Sequence, residues 1–193
     1  MDSSAALTKL KEGNKRFMEN RLSEKKNGAE DRKALTKGQQ PYAVILTCSD
    51  SRVAPEIIFD ASFNEIFVIR NAGNVATEVE LASVEYALEH LRAPLVVAMG
   101  HEKCGAVKAA CDIVADTGDC DGNFKAIFDQ IYPSAVKHKD KDDKTTLAEY
   151  DNARHTKQRV LESEIVKGLV DSGAVTVHCA RYKIESGEVE FFE

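Results

Sequence analysis

Four short apolar runs punctuate the chain: Ala43-Val-Ile-Leu-Thr47, Ile66-Phe-Val-Ile69, Leu95-Val-Val-Ala-Met99 and Ala174-Val-Thr-Val-His178. Each is continuous rather than alternating, the pattern of a strand buried on both faces in a parallel sheet. Helical periodicity fills the intervals. Residues 4–20 repeat Leu7, Leu10, Phe17 and Met18 at helical spacing and predict an N-terminal helical arm. Residues 21–40 are polar and loop-like, with a turn at Asn27-Gly28. Thr77-Glu-Val-Glu80 reads as a capping box opening a helix with Leu81, Val84, Leu88 and Leu91 on its buried face. A Gly-Ala-rich helix is expected from Gly105 to about Ala115. Phe124, Ile127, Phe128 and Ile131 mark a further helix that ends near Pro133. Thr146-Leu-Ala-Glu149 reads as a second capping box, opening one long helix to about Val170 that Gly173 terminates. The tail Glu188-Val-Glu-Phe-Phe192, after the Ser186-Gly187 turn, suits an antiparallel edge strand. Strands alternating with helices predict an α/β fold with a central, mostly parallel sheet, formed by residues 1–193 as a single domain.

Composition narrows the function. The 193 residues are 43% hydrophobic and 30% charged, with formal net charge −6, as in an ordinary globular chain. No basic stripe with interleaved aromatics suggests nucleic acid. The Lys-rich stretch 137–144 is interrupted by Asp140, Asp142 and Asp143 and reads as a solvated loop. No apolar run approaches the ~20 residues that span a bilayer, and the first ten residues lack a signal-peptide pattern. A cytoplasmic location is the expectation. Five cysteines cannot all pair within the chain, and in a reducing compartment cysteines near a histidine read first as metal ligands or nucleophiles.

Candidate chemistry gathers at the ends of two strands. The first ends in Cys48-Ser49-Asp50-Ser51-Arg52, the third in His101-Glu102-Lys103-Cys104-Gly105. In open α/β sheets ligands bind outside the carboxyl ends of the strands, so neighbouring strands bring both clusters into one crevice. Two thiolates and one imidazole suit zinc, and three protein ligands leave a fourth position open, the mark of a catalytic site. Zinc lowers the pKa of a bound water to roughly 7. Arg52 can hold Asp50 in one orientation through its rigid fork, where the carboxylate accepts the hydrogen of a zinc-bound hydroxide. Two zinc chemistries are excluded: the deaminase H-x-E with P-C-x-x-C is absent, and so is the G-x-G-x-x-G nucleotide fingerprint.

C-x-D-x-R at Cys48–Arg52 and H-x-x-C at His101–Cys104 together resemble the signature of the β-carbonic anhydrases. Val68–Asn74 resembles the family's strand-and-turn segment, Leu10–Phe17 its N-terminal helix, and Gly187–Glu190 its closing turn. The resemblance implies reversible hydration of carbon dioxide to bicarbonate and a proton. It assigns zinc to Cys48, His101 and Cys104, and the catalytic dyad to Asp50 and Arg52. In some members the matching Asp leaves its Arg and takes the fourth zinc position. Gln39, Phe67 and Tyr86 match residues lining the substrate pocket of the plant-like subgroup, the Gln and Tyr coming from the partner subunit. Gly105 is a further candidate beside the substrate. A homodimer or homotetramer is therefore expected. A second, inhibitory bicarbonate site of some bacterial members uses a Trp that would fall at Ile45. With no Trp in the chain, only Arg70 and Tyr182 match, and that site is not expected. Cys111, Cys120 and Cys179 match no ligand position and read as packing thiols; His178 reads as a satisfied strand-end histidine. Two alternatives remain at this point: hydrolysis of carbonyl sulfide or carbon disulfide on the same zinc site, and a non-enzymatic zinc or redox sensor with a closed site.

Overall fold

A computed structural model describes residues 1–25, 27–116 and 119–193. Five strands form one sheet: β1 (Ala43–Cys48), β2 (Ile66–Asn71), β3 (Leu95–His101), β4 (Thr176–Tyr182) and β5 (Val189–Phe192), in the order β2-β1-β3-β4-β5. The first four are parallel, and β5 pairs antiparallel with β4 at one edge. Every residue of β1 and β3 is buried, as continuous apolar runs require of central strands covered on both faces. Alternation divides them: Ile45, Val97 and Met99 face one core with Leu10, Val53 and Phe59, while Val44, Leu46 and Val96 face another with Val84, Leu88 and Val166.

Helices cover both faces. On one lie α1 (Ser3–Met18), capped by the Asp2 carboxylate on the Ala5 amide at 2.8 Å, and the short α3 (Pro55–Ile58). Gly13 lets the two touch: a Cβ there would stand 1.9 Å from the Phe59 carbonyl oxygen. Buried Asn14 donates to the Ile58 and Gly187 carbonyls at 3.2 and 2.8 Å and accepts from the Val189 amide at 2.8 Å, tying the first helix to the last strand. Between α1 and β1 lies α2 (Ala29–Ala34), followed by a 3-10 turn over Leu35–Lys37. The other face carries α4 (Glu78–Glu89), α5 (Gly105–Asp116), α6 (Lys125–Lys137), α7 (Lys144–Leu161) and α8 (Glu164–Asp171).

The Thr77–Glu80 capping box forms, with the Thr77 amide 3.0 Å from Glu80 Oε2. Several expectations need correction. The loop read at 21–40 contains α2; Lys26 within it lies outside the described residues. Helix α6 passes through Pro133 to Lys137, because Ser134 and Ala135 in its last turn are buried and hold it. The long helix is two: Ser163 breaks it, its hydroxyl capping the Val166 amide at 3.3 Å and donating to Glu85 at 2.6 Å. Thr146 and Glu149 form no capping box, since α7 already begins at Lys144 and Glu149 points into the protein. Strand β4 runs on to Tyr182, so His178 lies within the strand, opposite Val97.

Candidate metal centre

The sheet register sets the site. Cys48 ends β1 opposite Asn71 of β2, and His101 ends β3 opposite Tyr182 of β4. The turn after β3 then brings Cys104 back to the N-terminus of α5, aided by Lys103 at φ 54. The Cys48 and Cys104 sulfurs and a His101 ring nitrogen all lie within 4.8 Å of one another, and all three residues are buried. Among the described residues, Cys111, Cys120 and Cys179 do not join this group.

Histidine 101 is fully buried. Its Nδ1 lies 2.8 Å from the Glu102 carbonyl oxygen, which can only accept, so Nδ1 carries the hydrogen. The other nitrogen, Nε2, turns its lone pair toward the two sulfurs and has no hydrogen-bond partner. A buried polar atom left alone costs about 1–3 kcal/mol; a metal ion removes that cost, and two sulfurs with one imidazole form a donor set suited to zinc. In the metal-free chain the thiols compete for one proton. A hydrogen bond with Cys104 draws the Cys48 thiol down, and the same bond, with burial, pushes the Cys104 thiol up. A bound cation ends that competition by holding both as thiolates.

Backbone geometry supports each sulfur. Arg70 donates to the carbonyls of Cys48 and Asp50 at 3.1 and 2.9 Å, bracing the turn after β1. The Gly73 amide donates to Cys48 Sγ at 3.4 Å. Gly73 sits at φ 81 with Ile131 Cδ1 2.8 Å from where a Cβ would be, so only glycine fits without strain. One face of α7 fastens this turn: Asn152 donates to the Gly73 carbonyl at 2.7 Å and Thr156 to the Asn74 carbonyl at 2.8 Å. On the same face, Glu149 Oε1 accepts from the Cys104 amide at 3.1 Å, and Oε2 accepts from Arg181 Nε and Nη2 at 3.1 and 2.7 Å. Sequence reading missed Glu149, assigned to a cap, and Arg181, placed beyond the fourth strand. An arginine directly continuing an apolar strand run was the signal available for the second.

Asp50 flanks the cluster. Arg52 grips it with two parallel bonds, Nε to Oδ1 at 2.9 Å and Nη2 to Oδ2 at 2.7 Å. Those bonds hold the carboxyl well below the usual carboxylate range. Its Oδ2 is 3.9 Å from His101 Nε2. Arg52 Nη2 also reaches the Lys103 carbonyl at 3.2 Å, joining the turns after β1 and β3. Gly105 opens α5, and a Cβ added there would meet nothing within 4 Å.

Gln39, Phe67 and Tyr86 lie elsewhere in the single chain. Phe67 pairs with Val44, four residues before Cys48 on β1, or about 13 Å along the strand at ~3.3 Å per residue. Its ring lies 6.2 Å from that of Tyr86, which is 46% exposed. Gln39 is exposed ahead of β1, beside Pro41 and Arg92.

A mostly parallel sheet carrying a buried Cys-His-Cys group at its carboxyl edge defines a zinc protein of the α/β class. A family model described as carbonic anhydrase matches residues 43–189. The chain is 35% identical over 187 residues to carbonic anhydrase 2 of Mycobacterium tuberculosis, covering 95% of this chain and 89% of that protein. It is 36% identical over 194 residues to the carbonic anhydrase of Mycolicibacterium smegmatis, covering 96% and 91%. Among solved structures, the β-carbonic anhydrase CafA of Aspergillus fumigatus superposes with TM-score 0.75 at 26% identity, over 98% of this chain and 90% of that one. The Coccomyxa β-carbonic anhydrase in complex with acetazolamide gives 0.74 at 26% identity, over 96% and 86%. The chain belongs to the β-carbonic anhydrase family. It is a zinc-dependent lyase that reversibly hydrates carbon dioxide to bicarbonate and a proton.

Proposed function

We propose that Cys48, His101 and Cys104 hold the zinc, and that Asp50 and Arg52 are the catalytic dyad. The observation that carries this reading is the bidentate Arg52–Asp50 pair, whose Oδ2 stands 3.9 Å from the unpartnered His101 Nε2. Zinc, when bound, supplies the Lewis acidity that makes hydroxide available at neutral pH. Asp50, ionised and fixed by Arg52, accepts the hydrogen of an oxygen nucleophile at that corner and turns its lone pair toward the substrate carbon. Arg52 keeps the carboxylate from rotating, which is worth more to orientation than to stability. Gly105 leaves the space above the first turn of α5 open for carbon dioxide, since a Cβ there would meet nothing within 4 Å.

Gln39 and Tyr86 serve the pocket of a second copy and Phe67 lines a substrate pocket as its apolar wall, with a dimer as the smallest complete unit. Support comes from the half-exposed Tyr86 ring, which packs on Phe67 of β2, and from Val79, 73% exposed on the same helix. Strand β2 is also an edge of the sheet, with no partner strand on its outer side among the described residues. A cytoplasmic location accords with five free cysteines, and no helix among the described residues is long and apolar enough to cross a membrane.

The test is stopped-flow carbon dioxide hydration on protein of assayed zinc content, with Asp50→Asn beside the wild type. The variant keeps zinc and loses most turnover, by about 100-fold or more. Full turnover in a zinc-loaded Asp50→Asn protein removes Asp50 from the mechanism.

A further inference from the structure

Glu149 and Arg181 form a charge pair 3% and 5% exposed, deep behind the metal ligands. Such pairs are poor sources of stability, because the desolvation of two ions consumes most of their attraction, and apolar residues of like volume often serve a fold as well. Their retention here calls for another reason, and the bonds supply one. Cys104 immediately precedes α5, so its amide has no partner within that helix. Glu149 Oε1 takes that amide at 3.1 Å, where the positive end of the helix dipole also favours a carboxylate. Arg181 fixes the other oxygen with two donors. Its guanidinium is in turn held 4.7 Å over the Tyr150 ring, with Nη1 3.9 Å from Glu102 Oε1. Glu102 is the residue whose carbonyl orients His101. The pair thus grips the backbone of one metal ligand and touches the residue that orients another.

We propose that Glu149, with Arg181 as its counter-charge, is a positioning residue for Cys104 that sets zinc affinity rather than the fold. The proposal rests on the reading of Cys104 as a zinc ligand. A purely structural pair and a positioning pair differ in one respect. Replacing both charges by apolar side chains relieves the buried-charge cost but gives the Cys104 amide no acceptor.

The experiment compares wild type, Glu149→Gln and the double variant Glu149→Leu/Arg181→Met. Apoprotein melting and zinc affinity, by competition with a chromophoric chelator, are measured on each. Cobalt(II) spectra of the wild type report thiolate ligation. Glu149→Gln, which leaves Arg181 buried without its counter-charge but keeps an oxygen for the Cys104 amide, melts lower and binds zinc more tightly than the double variant. The double variant recovers the apoprotein melting temperature yet still binds zinc about 10- to 100-fold more weakly than wild type. Wild-type zinc affinity in the folded double variant overturns the proposal. Loss of the folded apoprotein in both variants overturns it as well, since the pair would then be a folding element. Absence of thiolate-to-cobalt charge transfer in the wild type removes the ligand reading, and the proposal with it.

Discussion

Gly73→Ala tests whether the turn after β2 holds the Cys48 sulfur. The added Cβ meets three obstacles. The backbone is at φ 81, where an L side chain costs about 1–2 kcal/mol. Ile131 Cδ1 is 2.8 Å from the new atom and the Ala106 Cβ 3.3 Å. Ile131 is fully buried, so it cannot swing into solvent, and forcing a methyl into such packing costs a further ~1–3 kcal/mol. The apoprotein is therefore expected to lose about 2–5 kcal/mol, a large part of the 5–15 kcal/mol or so that a domain holds. The zinc form should lose more. Relaxing the strain moves the Gly73 amide off Cys48 Sγ, now 3.4 Å away, and each tenfold loss of zinc affinity adds about 1.4 kcal/mol. Urea unfolding with and without saturating zinc separates the two contributions. Gly168→Ala in α8 is the control: a Cβ there meets nothing within 4 Å, so it gains up to ~1 kcal/mol from helix propensity alone. A Gly73→Ala apoprotein within about 0.5 kcal/mol of wild type would refute the packing argument. Equal losses with and without zinc would refute the link to Cys48.

Gly13→Ala should destabilise although alanine favours helix by ~1 kcal/mol, because its Cβ would stand 1.9 Å from the Phe59 carbonyl oxygen; thermal melting checks the sign. Asp60 predicts an acid limb. Burial of its side chain opposes ionisation, but bonds from Lys25, Arg16 and Ser23 more than offset it and hold the pKa well below the usual carboxylate range. With the folded value depressed, its stabilisation is complete above about pH 4 and is lost as pH falls through the folded value; urea midpoints against pH should show a shallower acid limb in Asp60→Asn. Tyr86→Arg, a change at a half-exposed ring, should lower both the sedimenting mass and the turnover while zinc content stays at the wild-type level. Turnover unchanged in a monomeric variant would detach Tyr86 from the pocket.

What the sequence made legible was local. The four parallel strands showed as apolar runs, which burial on both faces explains for β1 and β3 but not for the half-buried edge strand β2, and the Thr77–Glu80 box showed because both partners lie three residues apart. The misreadings came where distant partners overrode a local motif. Thr146-Leu-Ala-Glu149 has the spacing of a capping box, but the partners of Glu149 are Cys104 and Arg181, 45 and 32 residues away. Strand β4 was read as ending at the polar His178, although Cys179 and Ala180 carry the apolar run on to Arg181. The strand continues because Glu149 neutralises Arg181 inside the protein. The break at Ser163 was marked in the sequence by a capping serine before Glu164-Ile-Val, and Pro133 gave a false stop in a helix anchored by its own last turn.

The two carboxylate–guanidinium pairs beside the Cys-His-Cys group show why the candidate dyad was more legible than the support behind it. Asp50 and Arg52 are two residues apart, and the carboxylate is 16% exposed at the rim. A pair at the rim contributes about 0–1 kcal/mol to stability, so under the proposed mechanism its value lies in the direction of one oxygen, a task served by an acid and its clamp that share a turn. Glu149 and Arg181 are buried from everything a substrate can reach, and what they hold is a backbone amide. Nothing about holding an amide demands proximity in sequence, only that a helix and a strand pack with their polar positions facing. The reacting groups of such a site are thus confined to strand ends by the geometry of the sheet. The groups that keep them still are free to come from any element behind it, and they leave no motif.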